Sequence, residues 1–320
     1  MSTVFDAFID FFTSLSQPYM LRSVIVAIVL SITCAIIGIF IILRKMVFLV
    51  DGIAHSAFAG GALAVLLGIQ PLLTITIFSL ASATTMGIIN EKGKLSNETS
   101  IGIVFSFTMA LGIIFIGMIH SYTTGVSALL FGSITTIDYL EFWVVIAVSV
   151  GVLAVIAVVK KNLFFVTFDD ELAKANGLPT RVLSYLFLLL VAGVIIVCMK
   201  AIGVILLLAL IVTPAASAYQ LTYNINKMMF YAIIIAVVGA FVGYILSYIL
   251  EIAASATIVA VLTIGFFMFM AISPKRRNKK AVLDEAFCPT CNKALSETNA
   301  CQYCEEHESE SHHDHENGTE

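Results

Sequence analysis

The chain has 320 residues, of which 60% are hydrophobic and 12% charged, with a formal net charge of −4 and a mean hydropathy of +1.02. A soluble domain is about half apolar and about a quarter charged, so a soluble monomer and a disordered chain are both excluded. No basic stretch is long enough to suggest nucleic acid. The six cysteines are too few and too uneven for a secreted disulfide framework: Cys34 and Cys198 stand alone in apolar runs, and Cys288, Cys291, Cys301 and Cys304 cluster at the end.

The first 18 residues do not read as a signal peptide, because Asp6 and Asp10 stand where positive charge is expected. Phe5, Phe8, Ile9, Phe11 and Phe12 suggest instead a short helix lying in the membrane interface. A bilayer-crossing helix needs about 20 mostly apolar residues. Windows of that size predict nine spans, near residues 20–43, 47–67, 71–89, 100–119, 139–159, 182–199, 202–221, 228–250 and 256–272. The fold class is therefore all-α: a polytopic membrane protein with about nine transmembrane helices and a small Cys-rich cytoplasmic tail.

Basic residues set the orientation. Arg44 and Lys45, Lys92 and Lys94, Lys160 and Lys161 with Lys174 and Arg181, Lys227, and the run Lys275 to Lys280 fall at alternate junctions. Those junctions are expected in the cytoplasm, with Arg22 and Lys200 as minor exceptions. An odd number of spans then places the N-terminus outside and the tail inside a multi-pass protein of the cell membrane.

Ionisable groups in lipid are costly and mark pathways. Across residues 182–274 only Lys200, Lys227 and Glu251 are charged, all near span ends. The second span differs, because Asp51 and His55 stand four apart and share a helix face. A carboxylate and an imidazole on one face supply half a site for a divalent first-row metal. The alternative is a carboxylate near the cytoplasmic end with a histidine that only satisfies a partner. Glycines and alanines around the pair let another helix approach closely.

His120 is read either as a metal entry ligand or as a solvated loop residue, and Asp138 and Glu141 carry the same ambiguity. Met109, Met118, Met199, Met268 and Met270 are read as core packing. Pro214 marks a kink in the seventh span beside small residues, which either lines a pathway or serves helix packing. Residues 167–179 predict a short cytoplasmic helix, with Asp169 and Asp170 at its first turn and Gly177 and Pro179 at its stop. Its acidity suits either a solvated loop or a docking peg for a soluble partner.

Four stretches together resemble the membrane permease subunit of the metal-ion (zinc/manganese/iron) ABC importers. They are Arg44–Gly61 with its Asp-x-x-x-His core, Leu130-Phe131-Gly132-Ser133, Phe168-Asp169-Asp170-Glu171-Leu172-Ala173 with Asn176-Gly177-Leu178-Pro179, and Gly203–Ala218 with its Pro-Ala-Ala. The resemblance implies two permease chains forming one path and a separate ABC ATPase subunit. It places ATPase coupling on Phe168, Asp169, Asp170, Glu171, Leu172, Ala173 and Gly177. It also implies an extracytoplasmic metal-binding protein, and it puts the transported metal on Asp51 and His55. The chain has no phosphate-binding Gly-x-x-x-x-Gly-Lys-Ser/Thr loop and so is not the ATPase. An intramembrane metalloprotease would need a His-Glu-x-x-His pair, which is absent. A membrane-anchored metal sensor is the reading from another class.

Residues 275–280 form a basic linker. Cys288-x-x-Cys291 and Cys301-x-x-Cys304, nine residues apart, predict a four-thiolate Zn2+ site in a reducing cytoplasm. His307, His312, His313 and His315 add loose ligands. The expected organisation is an interfacial segment over 1–18, a transmembrane permease domain over 19–274, the linker, a four-cysteine zinc-knuckle-like segment over 281–306, and a disordered His/acid-rich tail over 307–320. The zinc reading of the tail tilts the expected cargo toward zinc, with manganese or iron(II) as the alternative.

Overall fold

The computed structural model describes residues 17–93, 96–119, 138–250 and 252–273. They form α1 (Pro18–Leu43), α2 (Val47–Leu67), α3 (Pro71–Gly93), α4 (Asn97–Gly117), α5 (Tyr139–Phe168), the short α6 (Asp170–Ala175), α7 (Thr180–Leu221), α8 (Ile225–Leu250) and α9 (Ala254–Ile272). No strand occurs among the described residues. The bundle up to Phe269 is one compact unit. Of the second unit, which begins at Met270, residues 270–273 are described, and they include the end of α9.

Eight of these helices are long and apolar enough to cross a membrane. In lipid every backbone N–H and C=O must be satisfied inside the chain, which is why apolar segments of this length form continuous helices. Several side-chain hydroxyls within the spans are answered in the same way. Ser31 and Thr33 donate to the carbonyls of Ala27 and Val29 one turn back, at 2.6 and 2.9 Å. Helix starts at the junctions are capped: Ser96 accepts from the Thr99 amide, and Asp138 from that of Tyr139.

The break expected between spans six and seven falls inside α7. Spans six and seven form one 42-residue element, and Gly203 inside it is non-helical, with φ 79° and ψ 168°. That region is open essentially to glycine alone. Pro214, the residue expected to kink the helix, is buried in backbone that stays helical. The contacts of α1 show what Gly203 does. Phe40 meets Phe187, and Cys34 meets Cys198 with 3.6 Å between sulfurs, so residues 187–198 run antiparallel to α1. Continued straight, the helix would carry Ile211 about 20 Å beyond Cys198. Ile211 lies instead against Gly38, with Ala215 beside it. The chain has doubled back at Gly203, and residues 204–221 run alongside α1 in its own direction.

The two ends of the bundle agree with this path. Lys200 pairs with Glu141 near the start of α5 at 2.7 Å, whereas Asn226, just past α7, accepts from Lys160 toward the other end of α5 at 3.1 Å. α6 lies at that second end, called here the α6 end.

α2 is walled in by α3 and α4. A Cβ on Gly60 would lie 2.7 Å from the Thr74 carbonyl oxygen, and one on Gly52 2.8 Å from the Met86 methyl, so the small residues permit backbone approach. Ser56 ties the three helices together. Its Oγ lies 2.8 Å from Ser82 Oγ on α3 and 3.0 Å from Thr108 Oγ1 on α4, all buried.

Two substitutions test these features in the full-length protein in detergent. Gly203→Ala is expected to lower the thermal unfolding midpoint, corresponding to about 1–3 kcal/mol of strain. Gly193→Ala, which faces open space, is expected to leave the midpoint unchanged or slightly raised. Ser56→Ala is expected to destabilise by about 1 kcal/mol, because it removes a hydrogen-bond partner from buried hydroxyls.

Candidate functional site

From Leu49 to Ala62 every residue of α2 is buried except Asp51 and His55. The helix has one uncovered stripe, and it carries a carboxylate and an imidazole. Burying the rest of α2 against α3 and α4 fixes its rotation, so the pair is presented by packing rather than by its own contacts. His55 Nε2 lies 3.3 Å from Asp51 Oδ1, and the side chains are 22% and 36% exposed respectively. The His55 ring stands edge-on to Phe105 of α4 at 5.1 Å between centroids. Its Nδ1 is buried and has no hydrogen-bond partner among the described residues.

This arrangement has a definite chemical capacity. A carboxylate against Nε2 orients the ring. The carboxylate retains a second oxygen. Oxygen and nitrogen donors of this kind suit divalent first-row ions and hold them without thiolate. Among the described residues no group of three or more His, Cys, Asp or Glu side chains could hold a metal ion. Among the described residues the pair is therefore an incomplete ligand set.

The other sequence candidates fall in different places. Asp138 caps α5, and Glu141 is paired with Lys200, so both have structural partners. Of the methionines read as core, Met199 is buried, but Met118 and Met268 are more than half exposed. That expectation is corrected for these two, which face outward on apolar helix surfaces. Pro214 lies in the second half of α7 and is not brought to the Asp51–His55 pair by any recorded contact.

α6 is capped by Asp169, whose Oδ1 accepts from the Leu172 amide at 2.8 Å. Ala173 is buried with Val166 and Leu183, Glu171 is exposed, and Gly177 turns the chain with φ 78°. Phe168 and Leu172 are exposed large apolar side chains at this end. The Asp170 side chain, His120, Leu130–Ser133, Glu251, nearly all of the interfacial segment, and the whole linker and tail with Cys288, Cys291, Cys301, Cys304, His307, His312, His313 and His315 lie outside the described residues.

Sequence reasoning missed the Ser56 node and the Lys200–Glu141 pair. Both had a signal. Ser56, Ser82 and Thr108 are hydroxyls in apolar runs, and Lys200 is a cation between two of them; pairing them needed the packing of α2, α3, α4, α5 and α7.

Residues 16–273 match the family described as the ABC 3 transport family. The chain is 34% identical over 270 residues to the manganese transport system membrane protein MntC of Listeria innocua, covering 83% of this chain and 96% of that protein. It is 28% identical over 277 residues to the chelated iron transport system membrane protein YfeD of Yersinia pestis, covering 86% and 93%. Among solved structures it is similar to PsaBC from Streptococcus pneumoniae in complex with Fab, with 31% identity, a TM-score of 0.75, and coverage of 85% of this chain and 99% of that one. The chain belongs to the ABC 3 transport family and is a membrane permease subunit of a metal-ion ABC importer, not itself an enzyme.

Proposed function

We propose that this permease passes manganese across the membrane, with Asp51 and His55 as the transient ligands. The observation that carries the reading is the burial of α2 on every side except the stripe holding that pair. The two donors found among the described residues are too few for a dication, and a second copy of the chain supplies the other two. The ion sheds water on entry, is held by two carboxylates and two imidazoles, and leaves because binding is weak enough to reverse. Imidazole and carboxylate do not by themselves separate manganese from zinc or iron. Manganese is preferred over the zinc suggested by the cysteine-rich tail because the name of the Listeria relative, 34% identical, specifies it. Iron is the second reading, on the name of the Yersinia relative.

A separate ATPase subunit drives the cycle from the α6 end. Phe168 and Leu172 offer apolar side chains to it, while Ala173 anchors α6 on the bundle. That end faces the cytoplasm, in line with the basic junctions, and a metal-binding protein delivers the ion at the opposite face. The four-cysteine tail is a separate zinc-binding appendage that transport does not require.

Vesicles carrying the assembled complex test this. Loss of an outer-shell partner of a metal site typically costs about 10–100-fold in affinity or activity. Asp51→Ala and His55→Ala remove direct ligands, and each is expected to reduce manganese uptake by at least that much without reducing assembly. Normal uptake by either variant removes the site. Manganese uptake is expected to resist competition by equal zinc; preferential zinc uptake would restore the zinc reading. Phe168→Asp with Leu172→Asp is expected to uncouple ATP hydrolysis from transport while leaving the permease in the membrane. Deleting residues 281–320 is expected to leave uptake intact.

A further inference from the structure

A second polar site lies away from α2's stripe. At the α6 end, the α1–α2 corner, α3, the end of α5, α6 and the start of α7 surround a cavity of about 830 Å³. Four cations line it: Arg44, Lys45, Lys174 and Arg181. Glu91 is the one carboxylate among the described lining residues. It is already engaged, 3.0 Å from Arg181 Nε and 3.2 Å from the Tyr185 hydroxyl that donates to it. Among the described lining residues, cations thus outnumber carboxylates by three.

The cations are built into the fold. Arg44 donates from Nε to Thr167 Oγ1 at 3.0 Å, and its guanidinium lies 4.6 Å from the centroid of the Phe187 ring. A guanidinium held this way is preorganised for bidentate contact with a phosphate or carboxylate. Lys45 adopts φ 56° at the α1–α2 corner, an uncommon conformation for a residue with a Cβ. The turn it makes places a lysine at the cavity.

A concentrated positive charge at a bundle end matches an anion of the adjoining lipid leaflet. Basic pockets between transmembrane helices are suited to anionic lipid head groups. Apolar surface continues from the cavity. Tyr185 follows Val182 and precedes Leu189 on α7, one turn apart on each side, and Gly87 on α3 packs against Tyr185. Val182, Leu189 and Ile88 are all exposed, so acyl chains can lie along the outer wall while the phosphate sits among the cations. We propose that this cavity binds the phosphate of an anionic phospholipid, with Arg44, Lys45, Lys174 and Arg181 as its ligands.

Native mass spectrometry of the full-length protein in non-ionic detergent tests the assignment, with titration by dioleoyl phosphatidylglycerol and dioleoyl phosphatidylcholine. Each cation near a lipid surface is worth about fivefold in affinity. The wild-type chain is expected to bind phosphatidylglycerol at least about tenfold more tightly than phosphatidylcholine. Lys45→Gln with Lys174→Gln is expected to erase most of that preference without changing phosphatidylcholine binding. Lys160→Gln with Lys161→Gln, toward the same end but outside the cavity lining, is expected to preserve it. Should the double variant fail to fold, Lys45→Gln alone is expected to lower the preference severalfold. No preference in the wild-type chain, or equal loss in the Lys160/Lys161 control, overturns the proposal. Displacement of phosphatidylglycerol by millimolar inorganic phosphate also overturns it, assigning the cavity to a free anion.

Discussion

The structure depends on how α2 is held. A membrane interior does not hydrate a carboxylate or an imidazole, so such groups persist only where protein, water or an ion answers them. α2 is enclosed by α3 and α4 through backbone approaches at Gly52 and Gly60 and through the Ser56 hydroxyl cluster. Between Leu49 and Ala62 that enclosure leaves only Asp51 and His55 uncovered. The packing of small residues thus decides where the chemistry faces. Asp51 and His55 themselves contribute little to the helix's placement; their mutual contact of 3.3 Å orients the ring.

α7 supplies a second constraint. Its two halves pass α1 in opposite directions, and Gly203 sits at the reversal with a backbone conformation that side chains resist. The thiols of Cys34 and Cys198 mark the outward leg, and the fit of Gly38 against Ile211 and Ala215 marks the return. The Lys200–Glu141 pair ties the outward leg to α5 just before the turn. A salt bridge there answers two charges at once in partly buried surroundings, which makes it a local tie rather than a large source of stability.

Much of this was legible in the sequence because apolar length is a strong signal in lipid. The spans near 20–43, 47–67 and 228–250 coincide with α1, α2 and α8 to within a few residues. Asp51 and His55 were visible because so few charges interrupt the apolar runs. The break between spans six and seven was placed beside Gly203, but its cause was not legible: proline advertises a missing donor, whereas Gly203 looks like any small residue until its φ is known. Burial on α2 was not legible either: alternating glycine and alanine indicates close approach but not which face is covered. The cavity at the α6 end was dispersed in sequence. Arg44, Lys45, Lys174 and Arg181 read only as orientation markers until the fold gathered them around one space.

In the proposed function the open stripe of α2 holds a dication jointly with a second chain. The most direct measurement is the manganese retained by the purified permease at equilibrium, read by elemental analysis against protein concentration. The account predicts about one ion per two chains, as two donors per chain require for a four-donor site, and its loss in Asp51→Asn and in His55→Gln. One ion for every chain, or undiminished retention in either variant, would contradict it.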